Sequence, residues 1–102
     1  MLGIDLVHIP EFAKQLQAGG DVFLRKAFNK SERQRDSVEH LAGVWAAKEA
    51  VLKAGNLEVG HWTDIHITYD HSGRPSATVG DEHYDISIAH HGDYAVAVAI
   101  KN

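Results

Sequence analysis

The stretch AGVWAAKEAVLKAGN, residues 42–56, predicts a helix that is buried on more than one side. At 100° per residue over 38–54, large apolar residues follow one arc and alanine and glycine fill the rest, which leaves no solvated face. The Gly-Asn pair at its end is a typical C-terminal stop. Lys48, Glu49 and Lys53 need an explanation, because an unpaired charge is strongly unfavourable in an apolar setting.

Local signals divide the chain before this helix. Residues 2–9 are nearly continuously apolar, which predicts a strand covered on both faces. Pro10 suits the first turn of a short helix that we expect to end at Gly19 and Gly20. The tetrapeptide SERQ at 31–34 matches a capping box, so we expect another helix to begin there.

The hydrophobic period changes from 3.6 to 2 after the long helix. Ile65, Ile67 and Tyr69 alternate with polar residues, and the turn DHSGRP separates this strand from SATV. The segments YDISIAH and YAVAVAI flank HGD as a hairpin, with the alanines of the second strand leaving room for a close-packed helix. We therefore predict one α+β domain over residues 1–102, with a small antiparallel-rich sheet packed on a long central helix.

Composition excludes several classes of protein. The 102 residues include no cysteine, which removes disulfides, thiolate metal sites and a cysteine nucleophile. No apolar run reaches eighteen residues and the first nine do not resemble a signal peptide, so we expect a cytoplasmic protein without membrane contact. The net charge of -4 argues against general nucleic-acid binding.

Basic residues are clustered in the first half of the chain. Five of the ten Lys and Arg residues fall within residues 25–35. This cluster is a candidate surface for an acidic partner. A solvated helix end is the alternative interpretation.

Two carboxylates lie in apolar surroundings. Asp5 is the only carboxylate of the first strand and Glu49 lies in the apolar helix, so a shared cation would relieve both. Oxygen ligands without cysteine favour Mg²⁺, which typically uses one or two carboxylates together with phosphate and water oxygens. Lys53 follows Glu49 by four residues and reaches the same side, which suggests a phosphate substrate. The alternative is a simple Glu49–Lys53 pair with Asp5 capping a nearby group.

These residues resemble the 4'-phosphopantetheinyl transferases, and specifically the small holo-acyl-carrier-protein synthases of actinobacterial type. The resemblance rests on GIDLVHIPEFAKQL at 3–16, the Phe and Glu of FNKSER at 28–33, LAGVWAAKEAVLKA at 41–54, DIHI and GRP within 64–75, and ISIAHHGDYAVAVAI at 86–100. The strand aspartate, the helix motif and the final hairpin in this order make the match specific.

The resemblance implies transfer of the 4'-phosphopantetheine arm of coenzyme A to a serine of an apo acyl carrier protein, with release of 3',5'-ADP. Asp5 and Glu49 would hold Mg²⁺ and Lys53 would neutralise charge on the phosphate. Glu49 would also help to deprotonate the serine, directly or through a water. Phosphoryl transfer depends mostly on such positioning and charge stabilisation.

The resemblance also implies further binding residues. Those expected to contact coenzyme A are Lys48, Gly73, Arg74, Pro75 and His90, the last with a structural histidine as the alternative. Those expected to receive the acidic carrier protein are Arg25, Lys26 and Arg33. The family builds its active sites between the chains of a homotrimer.

The chain departs from the family pattern at several positions. His8 and Glu11 stand where many relatives have Glu and Arg, and Ala89 stands where most have Ser or Thr. Only SATVGDEHYD lies between the GRP turn and ISIAH, where the family usually has a further helix. The docking geometry and the trimer are therefore the implied features most affected.

Two competing hypotheses remain. Eight histidines are a high count, and six of them, in the acidic second half, could form a metal-binding module: His61, His66, His71, His83, His90 and His91. Their spacing matches no closed tetrahedral site. A shortened, inactive relative that binds coenzyme A or carrier protein without turnover is the other.

Overall fold

The computed structural model describes residues 1–35, 37–58 and 62–102. The strands are β1 (Leu2–His8), β2 (His66–Tyr69), β3 (Pro75–Val79), β4 (Glu82–His91) and β5 (Tyr94–Lys101). The α-helices are α1 (Ile9–Ala27) and α2 (Val38–Gly55), and short 3-10 turns occupy Glu32–Gln34 and Trp62–Asp64. The described residues thus form an α+β fold, as predicted.

The five strands form one antiparallel sheet in the order β1-β5-β4-β3-β2. Helix α2 lies against one face, mainly over β1 and β5. Ala95, Ala97 and Ala99 of β5 are fully buried, and so are most of the small residues of α2. Small side chains on both surfaces let helix and sheet approach closely, which confirms the interpretation of the alanine-rich strand face.

Helix α2 begins and ends close to the predicted positions. Ser37 caps it, its Oγ accepting a hydrogen bond from the His40 backbone N–H at 3.2 Å. Asn56 ends it in the left-handed conformation, with φ at 52°, and its N–H donates to the Leu52 carbonyl. The helix is therefore delimited by local signals and buried on almost all sides by the fold.

Two predicted boundaries before α2 are wrong. Helix α1 does not end at Gly20 but kinks there, with φ at 55° and ψ at -146°, and continues to Ala27. Ser31 makes no side-chain cap and only the 3-10 turn follows it. The Glu32 side chain explains this, because it turns inward and accepts a hydrogen bond from the Ile67 N–H instead of leading a helix.

Strand β1 is covered on one face only within this chain, contrary to the prediction. Gly3, Asp5 and Val7 face α2 and are buried, whereas the alternate residues are exposed. Together with their register partners on β5 they form what we call the open apolar face: Leu2, Ile4, Leu6, Val96, Val98 and Ile100. Exposed apolar surfaces of this kind are typical of interaction sites.

Tight turns join the strands in the second half of the chain. The carboxylate of Asp70 organises the turn before β3 by accepting hydrogen bonds from the N–H groups of Ser72 and Arg74. Gly80 and Asp81 alone separate β3 from β4, so a hairpin lies between GRP and ISIAH. None of the helices in the described parts of the chain is long and apolar enough to cross a membrane.

Candidate active site

Asp5 and Lys53 meet where β1 crosses α2. The Lys53 ammonium donates to Asp5 Oδ1 at 3.0 Å and to the Ile4 carbonyl at 2.9 Å. Gly3 makes this approach possible, because a Cβ there would lie 2.0 Å from the Ala50 carbonyl oxygen. The strand and the helix therefore touch backbone to backbone beside the charged pair.

Glu49 lies one helical turn before Lys53 and shares a cavity of about 330 Å³ with it. Burial raises the pKa of Glu49 to about 7, and the hydrogen bond to Asp5 and its charge add to this, while Lys53 opposes the shift. When both carboxylates are ionised, Asp5 Oδ2 is buried and has no hydrogen-bond partner within the described residues; only a protonated Glu49 would supply one. Two carboxylates thus adjoin with one oxygen unsatisfied.

This geometry fits a hard cation. A metal ion bound by both carboxylates would satisfy Asp5 Oδ2 and offset both the burial of Glu49 and the repulsion from Asp5, which raise the pKa of Glu49. The described residues contain no group of three or more His, Asp or Glu side chains able to hold a metal alone. The pair therefore suits Mg²⁺, whose remaining ligands are commonly water and phosphate oxygens. The histidine module gains no support from the described residues, and His61 lies outside them.

Lys48 is separate from this site, contrary to its expected contact with coenzyme A. It is fully buried, and its ammonium donates to the carbonyls of Ala27 and Trp62, both at 2.9 Å. Glu32 Oε1 lies 2.7 Å away as the third acceptor. Burial lowers the pKa of Lys48, and the Glu32 carboxylate opposes the shift. All three ammonium protons are used, so none is left for a phosphate.

The GRP turn and His90 lie together elsewhere. Gly73, Arg74 and Pro75 line a cavity of about 600 Å³ on the sheet, and Gly73 and Pro75 also line an adjoining cavity of about 220 Å³ with His90. His90 Nε2 is 2.9 Å from the Glu39 carbonyl oxygen. Neither lining shares a residue with the cavity at Glu49. A single chain therefore presents two separate groups of candidate residues.

The residues predicted to receive the carrier protein lie in α1 and in the 3-10 turn that follows it. Arg25 and Lys26 are exposed in the part of α1 after the kink, and Arg25 Nε lies 3.3 Å from Asp21 Oδ2. Exposed Val22 precedes them by one turn, and Arg33 is half-buried in the 3-10 turn. The geometry keeps Arg25 and Lys26 available to a partner and leaves Arg33 less so.

Sequence reasoning assigned no structural role to Glu32 and did not single out Trp62. Glu32 is almost fully buried as the partner of Lys48, and Trp62 forms a wall of the Glu49 cavity. A lysine inside an apolar helix signals that a buried acceptor must exist, but nothing in the spacing says which one. Both residues come from irregular segments, where periodicity carries no information.

Comparisons with known proteins identify the family of this chain. A family model described as the 4'-phosphopantetheinyl transferase superfamily matches residues 1–99. A holo-[acyl-carrier-protein] synthase of Mycobacterium sp. (strain KMS) is 41% identical over 123 residues, covering 97% of this chain and 93% of that protein. That aligned length exceeds the 102 residues of this chain, so the relative has segments that this chain lacks.

Solved structures share the fold over nearly the whole chain. The Helicobacter pylori holo-[acyl-carrier-protein] synthase in complex with coenzyme A has a TM-score of 0.93 at 28% identity, covering 100% of both chains. The ACPS-CoA complex of Chronobacterium ammoniagenes has a TM-score of 0.83 at 36% identity, covering 96% of this chain and 92% of that one. The chain therefore belongs to the 4'-phosphopantetheinyl transferase superfamily and is an enzyme of the holo-[acyl-carrier-protein] synthase type.

Proposed function

We propose that this chain transfers the 4'-phosphopantetheine arm of coenzyme A to a serine of an apo acyl carrier protein, requires Mg²⁺ and releases 3',5'-ADP. The observation that carries the proposal is the unsatisfied Asp5 Oδ2 beside Glu49, with Lys53 on the other Asp5 oxygen. In an enzyme of this family, such a cluster at a cavity is suited to a pyrophosphate and its cation. The cytoplasmic location and a single domain over 1–102 stay predictions.

The carboxylates and the lysine divide the chemistry. Asp5 and Glu49 would hold Mg²⁺, which supplies charge neutralisation on the pyrophosphate when bound. The serine oxygen forms a bond to the phosphorus that carries the pantetheine arm, and the bond from that phosphorus to the bridging oxygen breaks. Glu49 accepts the serine proton, directly or through a water, and 3',5'-ADP leaves with the bridging oxygen.

Lys53 is placed to stabilise the charge that grows during transfer. Its side chain is 56% exposed and borders the cavity, so its ammonium can contact a bound phosphate while Asp5 holds it in place. Fixed charge aimed at a developing negative charge is among the largest contributions to catalysis. No protein nucleophile is needed for this reaction.

A homotrimer is part of the proposal. The open apolar face is exposed on β1 and half-buried at Val96 and Val98 in one chain, and the residues expected to contact coenzyme A form two groups that share no cavity. A neighbouring copy would cover the open apolar face. It would also bring the GRP turn and His90 of one chain to Asp5 and Glu49 of the next. This supports active sites between chains.

A lysine in place of Val98 is expected to dissociate the oligomer. Val98 lies at the centre of the open apolar face, opposite Ile4, and a buried unpaired ammonium is strongly unfavourable. Light scattering after gel filtration should give a trimer mass for the wild type and a monomer mass for Val98→Lys. His66→Lys on the opposite edge strand adds the same charge and should stay trimeric. A trimeric Val98→Lys variant would place the interface elsewhere.

Mixed oligomers test whether sites lie between chains. Glu49→Gln and His90→Ala are each expected to be weakly active alone. Refolded together, they should recover activity, because some sites then combine the intact carboxylates of one chain with the intact histidine of another. Activity that stays at the sum of the separate variants would mean that each site lies within one chain.

Charge reversal at Arg25 and Lys26 is expected to weaken carrier protein binding. The KM for carrier protein should rise about tenfold at low salt, since complementary charge mainly guides encounter, and added salt should reduce the difference. The KM for coenzyme A should not change. Lys14→Glu, before the kink in the same helix, is the matched control. An unchanged KM in the double reversal would refute docking at this surface.

Intact-protein mass spectrometry tests the function directly. Apo acyl carrier protein incubated with the chain, coenzyme A and Mg²⁺ should gain the mass of one phosphopantetheine group, and a chelator should prevent the gain. Binding of coenzyme A without any mass gain would favour the second candidate, a relative that has lost turnover. Ala89, in place of a hydroxyl residue, and the hairpin that replaces the further helix of the family favour that candidate.

A further inference from the structure

The Lys48–Glu32 pair joins three parts of the chain that are distant in sequence. Lys48 lies in α2, Glu32 in the 3-10 turn after α1, and Trp62, whose carbonyl Lys48 binds, in the segment before β2. Both charged side chains are almost completely buried, at 0% and 1% exposure. A buried ion pair is in itself weak evidence for stability, so its contacts are the better guide to its role.

Those contacts converge on residues 62–67. Lys48 Nζ holds the Trp62 carbonyl at 2.9 Å, and Asn29 Nδ2 donates to the Ile65 carbonyl at 3.0 Å. Glu32 Oε2 accepts from the Ile67 N–H at 2.9 Å, and Glu32 Oε1 accepts from the Asn29 N–H at 2.8 Å. Polar side chains thus fix this segment by its backbone at three points.

The first of these points, the Trp62 carbonyl, belongs to a residue of the candidate active site. Trp62 lines the cavity with Glu49 and Lys53, and its ring packs against that of Trp45 at a centroid distance of 4.5 Å. Trp45 precedes Glu49 by one helical turn. The Trp62 ring is therefore held by Trp45 and the Trp62 backbone by Lys48. A shift of Trp45 or Lys48 would move one wall of the cavity.

We propose that Lys48 and Glu32 are positioning residues that act through Trp62: they hold this wall against the cavity and so set the fit of the substrate beside Glu49 and Lys53. The inference rests on the proposed function for its kinetic consequence. Its structural consequence, a fixed Trp62, is independent of activity. A displaced wall changes how the reacting groups are aligned, which is costly even for small movements.

A double-mutant cycle tests the route through Trp62. The pair change Glu32→Gln with Lys48→Met removes both charges, so no unpaired buried charge remains. It is expected to lower kcat/KM for coenzyme A about tenfold. In a Trp62→Ala background the same pair change should alter kcat/KM by less than about twofold, since the wall it positions is already gone. Equal losses in both backgrounds would overturn the proposal.

Acrylamide quenching of tryptophan fluorescence tests the position of Trp62 without any turnover, with the contribution of Trp45 taken from Trp62→Ala, measured with and without the pair change. The pair variant should be quenched more strongly than the wild type and its emission should shift to the red. Val44→Ala, which removes a buried apolar contact in the same helix, should lower the urea midpoint without either change. Unchanged quenching in the pair variant would refute the inference even if activity fell.

The inference and the proposed function can fail separately. A wild-type chain that modifies no carrier protein refutes the proposed function, and the quenching comparison then decides the inference alone. If the pair variant shows no cooperative urea transition, Glu32→Asp takes its place in both experiments. That change keeps both charges and only shortens the reach of the carboxylate toward Lys48, so it should produce smaller shifts of the same sign.

Discussion

Glu49→Gln is expected to lower the transfer rate about a thousandfold, since loss of a cation ligand removes several kcal/mol of charge stabilisation and each 1.4 kcal/mol is tenfold. It is also expected to make the metal-free protein more stable above neutral pH. Both effects have one cause, the placement of Glu49 beside Asp5 in a half-buried site. Transfer is measured by mass spectrometry and stability by urea unfolding.

The sign of the pH effect follows from the raised pKa of Glu49. Its value of about 7 in the fold lies above the ordinary 4.5 because burial and Asp5 disfavour the charged form. The protonated carboxyl therefore contributes stability fully below about pH 4.5, and this contribution is lost as pH rises through about 7. The glutamine variant has no such titration, so its advantage over the wild type should grow from pH 5 to pH 8.

Mg²⁺ and a control variant sharpen this comparison. Added Mg²⁺ should raise the melting temperature of the wild type at pH 8 and leave that of Glu49→Gln nearly unchanged, because a ligand stabilises only the state that binds it. Glu39→Gln, an exposed change in the same helix, should behave like the wild type. Equal stabilities of wild type and Glu49→Gln at both pH values would contradict the shared carboxylate site.

Gly3→Ala is expected to lower the free energy of unfolding by about 3 kcal/mol or more. This is the upper end of the range of losses seen when atoms are added to a well-packed core. The new Cβ would lie 2.0 Å from the Ala50 carbonyl oxygen and 2.8 Å from the Ala54 nitrogen. Both are backbone atoms, so neither can move without shifting helix α2 away from β1. Urea unfolding measures the loss, and any folded variant should transfer slowly because Asp5 moves away from Glu49.

Gly43→Ala is the matched control. The atoms nearest to a Cβ at Gly43 would belong to the side chains of His90 and Ile88, both at 3.1 Å, and these can shift by a few tenths of an ångström. Its stability should stay within about 1 kcal/mol of the wild type, with the better helix propensity of alanine offsetting the crowding. Equal stability of Gly3→Ala and Gly43→Ala would mean that β1 does not limit the approach of α2.

Local signals explain what could be predicted. The long helix, the final hairpin and the turn before β3 were predictable because caps, alternation and turn residues act within a few positions. The family and the carboxylates could be recognised because the motifs are contiguous. The capping box at 31–34 failed because Glu32 is drawn into a buried contact with Ile67, thirty-five residues away.

Lys48 and β1 are two features for which the sequence pattern gave a wrong prediction. Lys48 looked equivalent to Lys53 as a candidate phosphate contact, yet one is fully buried with three acceptors and the other borders a cavity. The apolar run at 2–9 predicted cover on both faces, but a single chain covers only one. In the proposed trimer the second cover would come from a neighbouring copy, which the order of residues in one chain does not describe.

By itself, the sequence determined the α+β class, the family, and the charged residues that we propose carry the chemistry, because periodicity and contiguous motifs record local geometry and residue type. Only the tertiary structure decided which of those charges share a site. It joined Asp5, Glu49 and Lys53, removed Lys48 to a buried pair with Glu32, and placed Trp62 over the cavity. The physical reason is that these contacts form between residues far apart in the chain, where burial and backbone approach at Gly3, not sequence spacing, set the distances.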